Sequence, residues 1–173
     1  MPGKESAMKT SNKIMSLLEV LRHAGIQRAA GRKVAFTNGV FDILHKGHLD
    51  VLEEAKRHAQ YVVVGINSDK SVTRMKGPSR PVLIQNRRAA VVAGLANVDA
   101  VVIFNEDTPL ELIKVLSPDV LLKGGDWDFK DIVGNDIVPK VVQVKTRIAI
   151  SDSLIIEAIQ STVKCAKCAE RDK

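Results

Sequence analysis

At 173 residues, with 45% hydrophobic and 27% charged residues, the chain has the composition of one folded domain, which argues against a disordered chain. No apolar stretch approaches the roughly 18 to 20 residues of a bilayer span. The opening "MPGKESAMKTSNK" lacks the apolar centre of a secretory signal, so a cytoplasmic location with no membrane partner is expected. A net charge of +6 suits an anionic partner, but aromatic residues at 3% are too few for a base-stacking platform, and no nucleic-acid partner is expected.

Ile14, Leu17, Leu18 and Leu21 recur at helical spacing and predict one lead-in helix over residues 13–29. With the polar start it makes an N-terminal segment, 1–30, ahead of a main domain at 31–163 and a polar tail at 164–173. Runs rich in β-branched residues predict strands at 33–37, 61–66, 100–104, 119–122 and 141–144. Helical patterns lie between and after them, at 48–59, 84–95, 109–116 and 153–163. This alternation predicts an α/β fold, a Rossmann-like parallel sheet of about five strands with helices on both faces. The runs "YVVVGI" and "DAVVIF" are apolar almost throughout, as strands covered on both sides are.

In "DTPLE", Thr108 is expected to cap a helix that opens at Pro109, with Glu111 completing a capping box. Two segments, "NSDKSVTRMKGPSRPV" and "KGGDWDFKDIVGND", read as irregular. Both follow strand C-termini, where open α/β sheets place their ligands. The only cysteines, Cys165 and Cys168, form a lone C-x-x-C in the polar tail, too little for a disulfide framework or a zinc site.

The densest chemistry lies in "TNGVFDILHKGH", residues 37–48. A strand ends there and a helix begins, and free N–H groups at a helix start attract phosphate. Gly39 would let the main chain approach a ligand, and Gly47 would do so at the helix start. His45 and His48, three apart, can face one pocket and donate to phosphate oxygens. A metal site on these two histidines lacks a clear third ligand, so metal ligands stay unassigned.

The segment "TNGVFDILHKGHLDVLEEAK" resembles the first motif of the nucleotidyltransferase superfamily with an H-x-G-H signature, here His45, Lys46, Gly47 and His48. Similarity continues through "VVVGINSDKSVTRMKGPSRPV", "NVDAVVIFNEDTPLELI" and "PDVLLKGGDWDFKDIVGNDIV". Together these are similar to the adenylyltransferase domain of bacterial heptose 1-phosphate enzymes, which make ADP-heptose for lipopolysaccharide or other surface glycans. The resemblance implies ATP and a sugar 1-phosphate as substrates, magnesium as cofactor, and a homodimer as one candidate assembly. Since 173 residues leave no room for the sugar kinase fused to this domain in many relatives, a separate kinase is expected. Cytidylyl transfer to glycerol phosphate or another polyol phosphate and FMN adenylyl transfer are the alternatives within the enzyme class, and a basic nucleic-acid-binding module, suggested by the charge alone, is the alternative of another class.

By the same resemblance His45, His48 and Lys76 would be catalytic, with Lys76 on a loop that closes over triphosphate. Thr37, Asn38, Gly39, Phe41 and Gly47 would border the nucleotide, joined by Arg87, which is preferred over Arg88, and by Ser151 and Ser153 at the last helix. Lys123, Gly124, Asp126 and Trp127 would bind substrate. Asp126 would orient substrate hydroxyls or help hold magnesium, while Trp127 would cover an apolar edge or pack in the core. The final motif departs from the family's Ser-Thr-Thr run: Asp152 stands between Ser151 and Ser153, and Arg147 sits one position from the usual arginine.

Overall fold

The computed structural model describes residues 10–145, 151, 153–159 and 161. Five strands, β1 (Val34–Gly39), β2 (Tyr61–Asn67), β3 (Ala100–Phe104), β4 (Val120–Gly124) and β5 (Val141–Val144), form one sheet in the order β3-β2-β1-β4-β5. Every pairing is parallel, with Val34 opposite Tyr61, Val63 opposite Ala100, Phe36 opposite Leu121 and Leu121 opposite Val141. The chain winds outward from β1 to β3, then returns to the other side of β1 for β4. That reversal puts the topological switch between β1 and β4.

Continuous apolar strands can fill two cores because successive side chains point to opposite faces. Val34, Phe36, Val63, Val102 and Leu121 enter one core, beneath α2 (Leu17–Ala29) and α6 (Leu110–Leu116). Ala35, Val62, Val64, Val101 and Leu122 enter the other, which is covered by α3 (Lys46–His58) and α5 (Gln85–Ala93). The α/β architecture therefore agrees with the alternation read from the sequence.

Three expected elements differ. The lead-in helix over 13–29 is broken into α1 (Thr10–Lys13) and α2. Ser16 and Glu19 form a capping box that starts α2 afresh, while Ile14 pairs with Val101 as a parallel bridge and the Met15 N–H donates to the Val101 carbonyl at 2.9 Å. The segment read as irregular after β2 contains α4 (Asp69–Lys76), started by Ser68, whose hydroxyl accepts from the Ser71 N–H at 3.2 Å. Thr108 does not cap α6. Pro109 itself stands at the cap without a side-chain bond, and its carbonyl accepts from Ile113 at 2.8 Å.

The second irregular segment holds a short 3-10 turn, Phe129–Asp131. A further helical stretch, α7, covers 153–159. Arg147, Asp152, Cys165 and Cys168 lie outside the described residues.

Candidate active site

A cavity of about 350 Å³ opens at the C-terminal ends of β1 and β4, beside the switch between them. Thr37, Asn38 and Gly39 of β1, Phe41, and His45, Gly47 and His48 at the start of α3 line one side. Lys123, Gly124, Gly125 and Trp127 line the other, with Lys76 and Ser151 completing the rim. Open parallel sheets bind ligands in such a crevice because helix N-termini converge there.

The two histidines are fixed by the backbone they cap. His45 stands at the N-cap of α3 with an extended backbone, and its Nδ1 accepts from the Gly47 N–H at 3.1 Å. His48 reaches back, its Nδ1 accepting from the His45 N–H at 3.4 Å. This is a capping box made with imidazoles in place of the usual hydroxyl and carboxylate. Because Nδ1 accepts in each ring, the neutral ring carries its proton on Nε2, which makes Nε2 a donor.

The rings stack with centroids 3.9 Å apart, and Phe41 lies against His48 at 4.7 Å. Phe41 holds this place with φ of 51°, a left-handed conformation rare for a bulky residue. A Cβ on Gly39 would meet the Phe41 ring at 3.2 Å. Gly39 thus makes room for the ring that backs His48, a role beyond the ligand approach expected of it.

Charge at the cavity is one-sided. Among the described residues its lining contains Lys76, Lys123 and the two histidines but no carboxylate. Lys123 is pushed below the usual lysine value by burial, and its ammonium lies 5.3 Å from the centre of the Trp127 ring. Trp127 Nε1 donates to the Gly124 carbonyl at 3.1 Å, and Gln143 Nε2 donates to the carbonyls of Gly125 and Trp127. Trp127 is half exposed, so core packing does not describe it.

The remaining expected residues divide between the rim of the cavity and positions outside it. Lys76 ends a helix, so it reaches the cavity from regular structure instead of a loop. Ser151 lines the cavity, and its Oγ accepts from the Leu154 N–H at 3.3 Å, capping α7. Ser153 and Asp126 do not contribute to the lining. Arg87 is exposed on α5, outside the lining.

Its neighbour Arg88 is almost fully buried, donating to the carbonyls of Val40, Asn67 and Leu83 and pairing with Asp69 at 2.8 Å. Arg87 lies about 100° around the helix from it, on the exposed face. Arg88 ties the ends of β1 and β2 to the starts of α4 and α5. Asp42 carries no expectation from the sequence; its buried carboxylate accepts from the N–H groups of Val82 and Leu83. An acidic residue three positions after the glycine that ends β1 is the available signal, but its partners lie about 40 residues away.

The residues suit magnesium only as a companion of phosphate. No cluster of three potential ligands occurs among the described residues, and magnesium bound through few or no protein carboxylates relies on phosphate oxygens and water.

The profile of the cytidylyltransferase-like family matches residues 36–163. The chain belongs to that family. Among its relatives, the bifunctional protein HldE of Wolinella succinogenes is 44% identical over 154 residues, covering 89% of this chain and 32% of that protein. The bifunctional protein HldE of Hyphomonas neptunium is 57% identical over 111 residues, covering 64% and 23% respectively. The chain thus spans about a third or less of the length of these curated relatives. Among solved structures, the lipopolysaccharide core biosynthesis protein of Thermoplasma volcanium superposes with a TM-score of 0.58 at 29% identity, covering 68% of this chain and all of that one. Pantoate-beta-alanine ligase of Francisella tularensis, at 14% identity and a TM-score of 0.54, shares the fold over 78% of this chain and 67% of its own. No helix among the described residues is long and apolar enough to cross a membrane.

Proposed function

We propose that the chain transfers the adenylyl group of ATP to a sugar 1-phosphate, most specifically D-glycero-β-D-manno-heptose 1-phosphate, giving ADP-heptose and pyrophosphate. The observation that carries this reading is the pair of stacked, backbone-fixed imidazoles at the start of α3, facing a cavity whose charged lining residues are lysines. Similarity to the bifunctional HldE proteins and to a lipopolysaccharide core biosynthesis protein supports the substrate class.

The nucleophile is an oxygen of the sugar phosphate, already anionic, so the reaction needs positioning and charge stabilisation more than a base. As that oxygen bonds to the α-phosphorus, the bond from the α-phosphorus to the bridging oxygen breaks, and pyrophosphate leaves with the electron pair. His45 and His48 donate from Nε2 to oxygens of the α-phosphate, where negative charge builds in the transition state. Lys76 neutralises the departing pyrophosphate, while Lys123, beside Trp127, takes the phosphate of the sugar. Thr37, Asn38, Gly39, Phe41, Gly47 and Ser151 border the nucleotide. Magnesium accompanying the nucleotide supplies further neutralisation of phosphate charge.

The sugar 1-phosphate has to be supplied by a phosphoryl-transferring enzyme, on the same polypeptide or another. A cytoplasmic location and a homodimer are part of this reading, and sedimentation at several concentrations measures the latter. The deciding experiment is pyrophosphate release from ATP or CTP, paired in turn with heptose 1-phosphate, glycerol 3-phosphate and FMN. Release only with ATP and heptose 1-phosphate is expected. Preference for CTP with glycerol phosphate, or for ATP with FMN, would replace this reading by the corresponding alternative.

A further inference from the structure

Asp42 belongs to the same turn as the histidines but does not line the cavity. Its side chain is 0% exposed, and a carboxylate so placed must be compensated. One segment supplies three donors: Val82 N–H at 2.9 Å, Leu83 N–H at 2.9 Å and Arg80 Nε at 3.0 Å all donate to it. Burial raises the carboxyl's pKa, but the amides of Leu83 and Val82 and the guanidinium of Arg80 outweigh it and hold the value below that of an ordinary aspartate.

That segment is also tied to α4. Thr73 Oγ1 donates to the Arg80 carbonyl at 2.8 Å, and the Arg80 N–H donates to the Gly77 carbonyl at 3.2 Å. The helix spans eight residues and buries only Ser71 and Val72, so apolar packing does little to fix its C-terminal end. Lys76 is the last residue of that end. Hydrogen bonds through Arg80 to Asp42 therefore connect the lysine side of the cavity to the turn that carries the histidines.

We propose that Asp42 is a positioning residue: through Arg80 and Thr73 it sets Lys76 against His45 and His48 across the cavity. The inference rests on the phosphate-binding part of the function proposed above.

The test is a double-mutant cycle in affinity for inorganic tripolyphosphate with magnesium, measured by isothermal titration on wild type, Asp42→Asn, Lys76→Ala and the double variant. Asp42→Asn should weaken binding roughly 5-fold, a coupling of ordinary size for residues in one network. In the Lys76→Ala background the same change should weaken it less than about 2-fold, since a lysine already absent cannot be misplaced. A general structural lesion would instead add in full, and full additivity overturns the proposal, as does wild-type affinity in Asp42→Asn.

If circular dichroism shows Asp42→Asn to be unfolded, Thr73→Val at an exposed position cuts the same connection and must show the same non-additivity with Lys76→Ala. Absence of tripolyphosphate binding by the wild type also overturns the proposal. Because the titration involves no turnover, a chain that binds tripolyphosphate but transfers no nucleotide refutes the proposed reaction alone, leaving the coupling to be judged on its own data.

Discussion

Two turns face each other across the switch point, and they are held by different means. The turn after β1 is backed by buried groups: the Asp42 carboxylate, the Arg88 guanidinium and the Phe41 ring. The turn after β4 is held at the surface by Gln143 and by the bond from Trp127 to Gly124, with Trp127 and Phe129 half exposed. Fixed donors lower a barrier because they need not reorganise as charge develops. A surface-held turn suits a different task, accommodating the shape of one substrate among related ones.

The comparison predicts where damage will be largest. Arg88→Met would leave the Val40, Asn67 and Leu83 carbonyls without their donor and Asp69 without its cation; losing one partner of a buried ion pair typically costs about 3 to 5 kcal/mol. Because Asp69 is one-third exposed, the lower end of that range is expected, read as a fall in denaturant midpoint. A midpoint unchanged from wild type would break the distinction between the turns.

His48→Ala should lower turnover on the order of 100-fold in a folded protein, the usual cost of one donor to developing charge. Steady-state pyrophosphate release checks this, and unaltered turnover would remove His48 from the chemistry.

Gly124→Ala tests the tightest point of the second turn. The new Cβ would lie 2.7 Å from Val51 Cγ2, and such overpacking costs roughly 1 to 3 kcal/mol, measurable by thermal melting.

Asp42→Asn should show a pH signature. With its folded value below the ordinary carboxylate range, Asp42 stabilises the fold above the unfolded value of about 3.9, and that contribution disappears as pH falls through the folded value. The difference in melting temperature between wild type and Asp42→Asn should therefore be full at neutral pH and shrink below about pH 4. A gap independent of pH would assign the loss to shape instead of charge.

The smallest effect is expected from Trp127→Phe, which keeps a ring near Lys123 but loses the bond to Gly124. At a half-exposed site the change should raise KM for the sugar phosphate a few-fold at most and leave kcat unaltered, since a net hydrogen bond contributes about 1 kcal/mol. A large fall in kcat would place Trp127 with the fixed turn.

These differences also explain what could be read in the sequence. Strands such as Tyr61–Asn67 are legible because a run of apolar residues between helical patterns has few other homes, and the H-x-G-H turn because its residue types are concentrated in one short stretch. Legibility fails where a short polar segment takes its structure from distant partners. Helix α4 buries two residues, and its restraint by Glu106, Asp107 and Arg80 cannot be seen in its own pattern. The break in the lead-in helix was nearer to hand, since Ser16 and Glu19 carry capping-box spacing, but the repeat of leucines masked it. Choosing between Arg87 and Arg88 required knowing which face of α5 meets the sheet. That depends on where Ala89, Val92 and Ala93 pack, a tertiary fact.

The short extended stretch at Ile14 and Met15 has a consequence at the far side of the molecule. Strand β3 is the outermost strand on its side of the sheet, and its outer row of N–H and C=O groups is a template on which a strand from another molecule could add. The bridge from Ile14 to Val101, with the Met15 N–H on the Val101 carbonyl, occupies that row near its start, and Lys13 fastens the stretch in place through the carbonyls of Leu95 and Val98. The stretch thus works as a selvedge at the start of that margin: the chain binds off part of its own edge, so less of the row is left for a neighbouring molecule to continue.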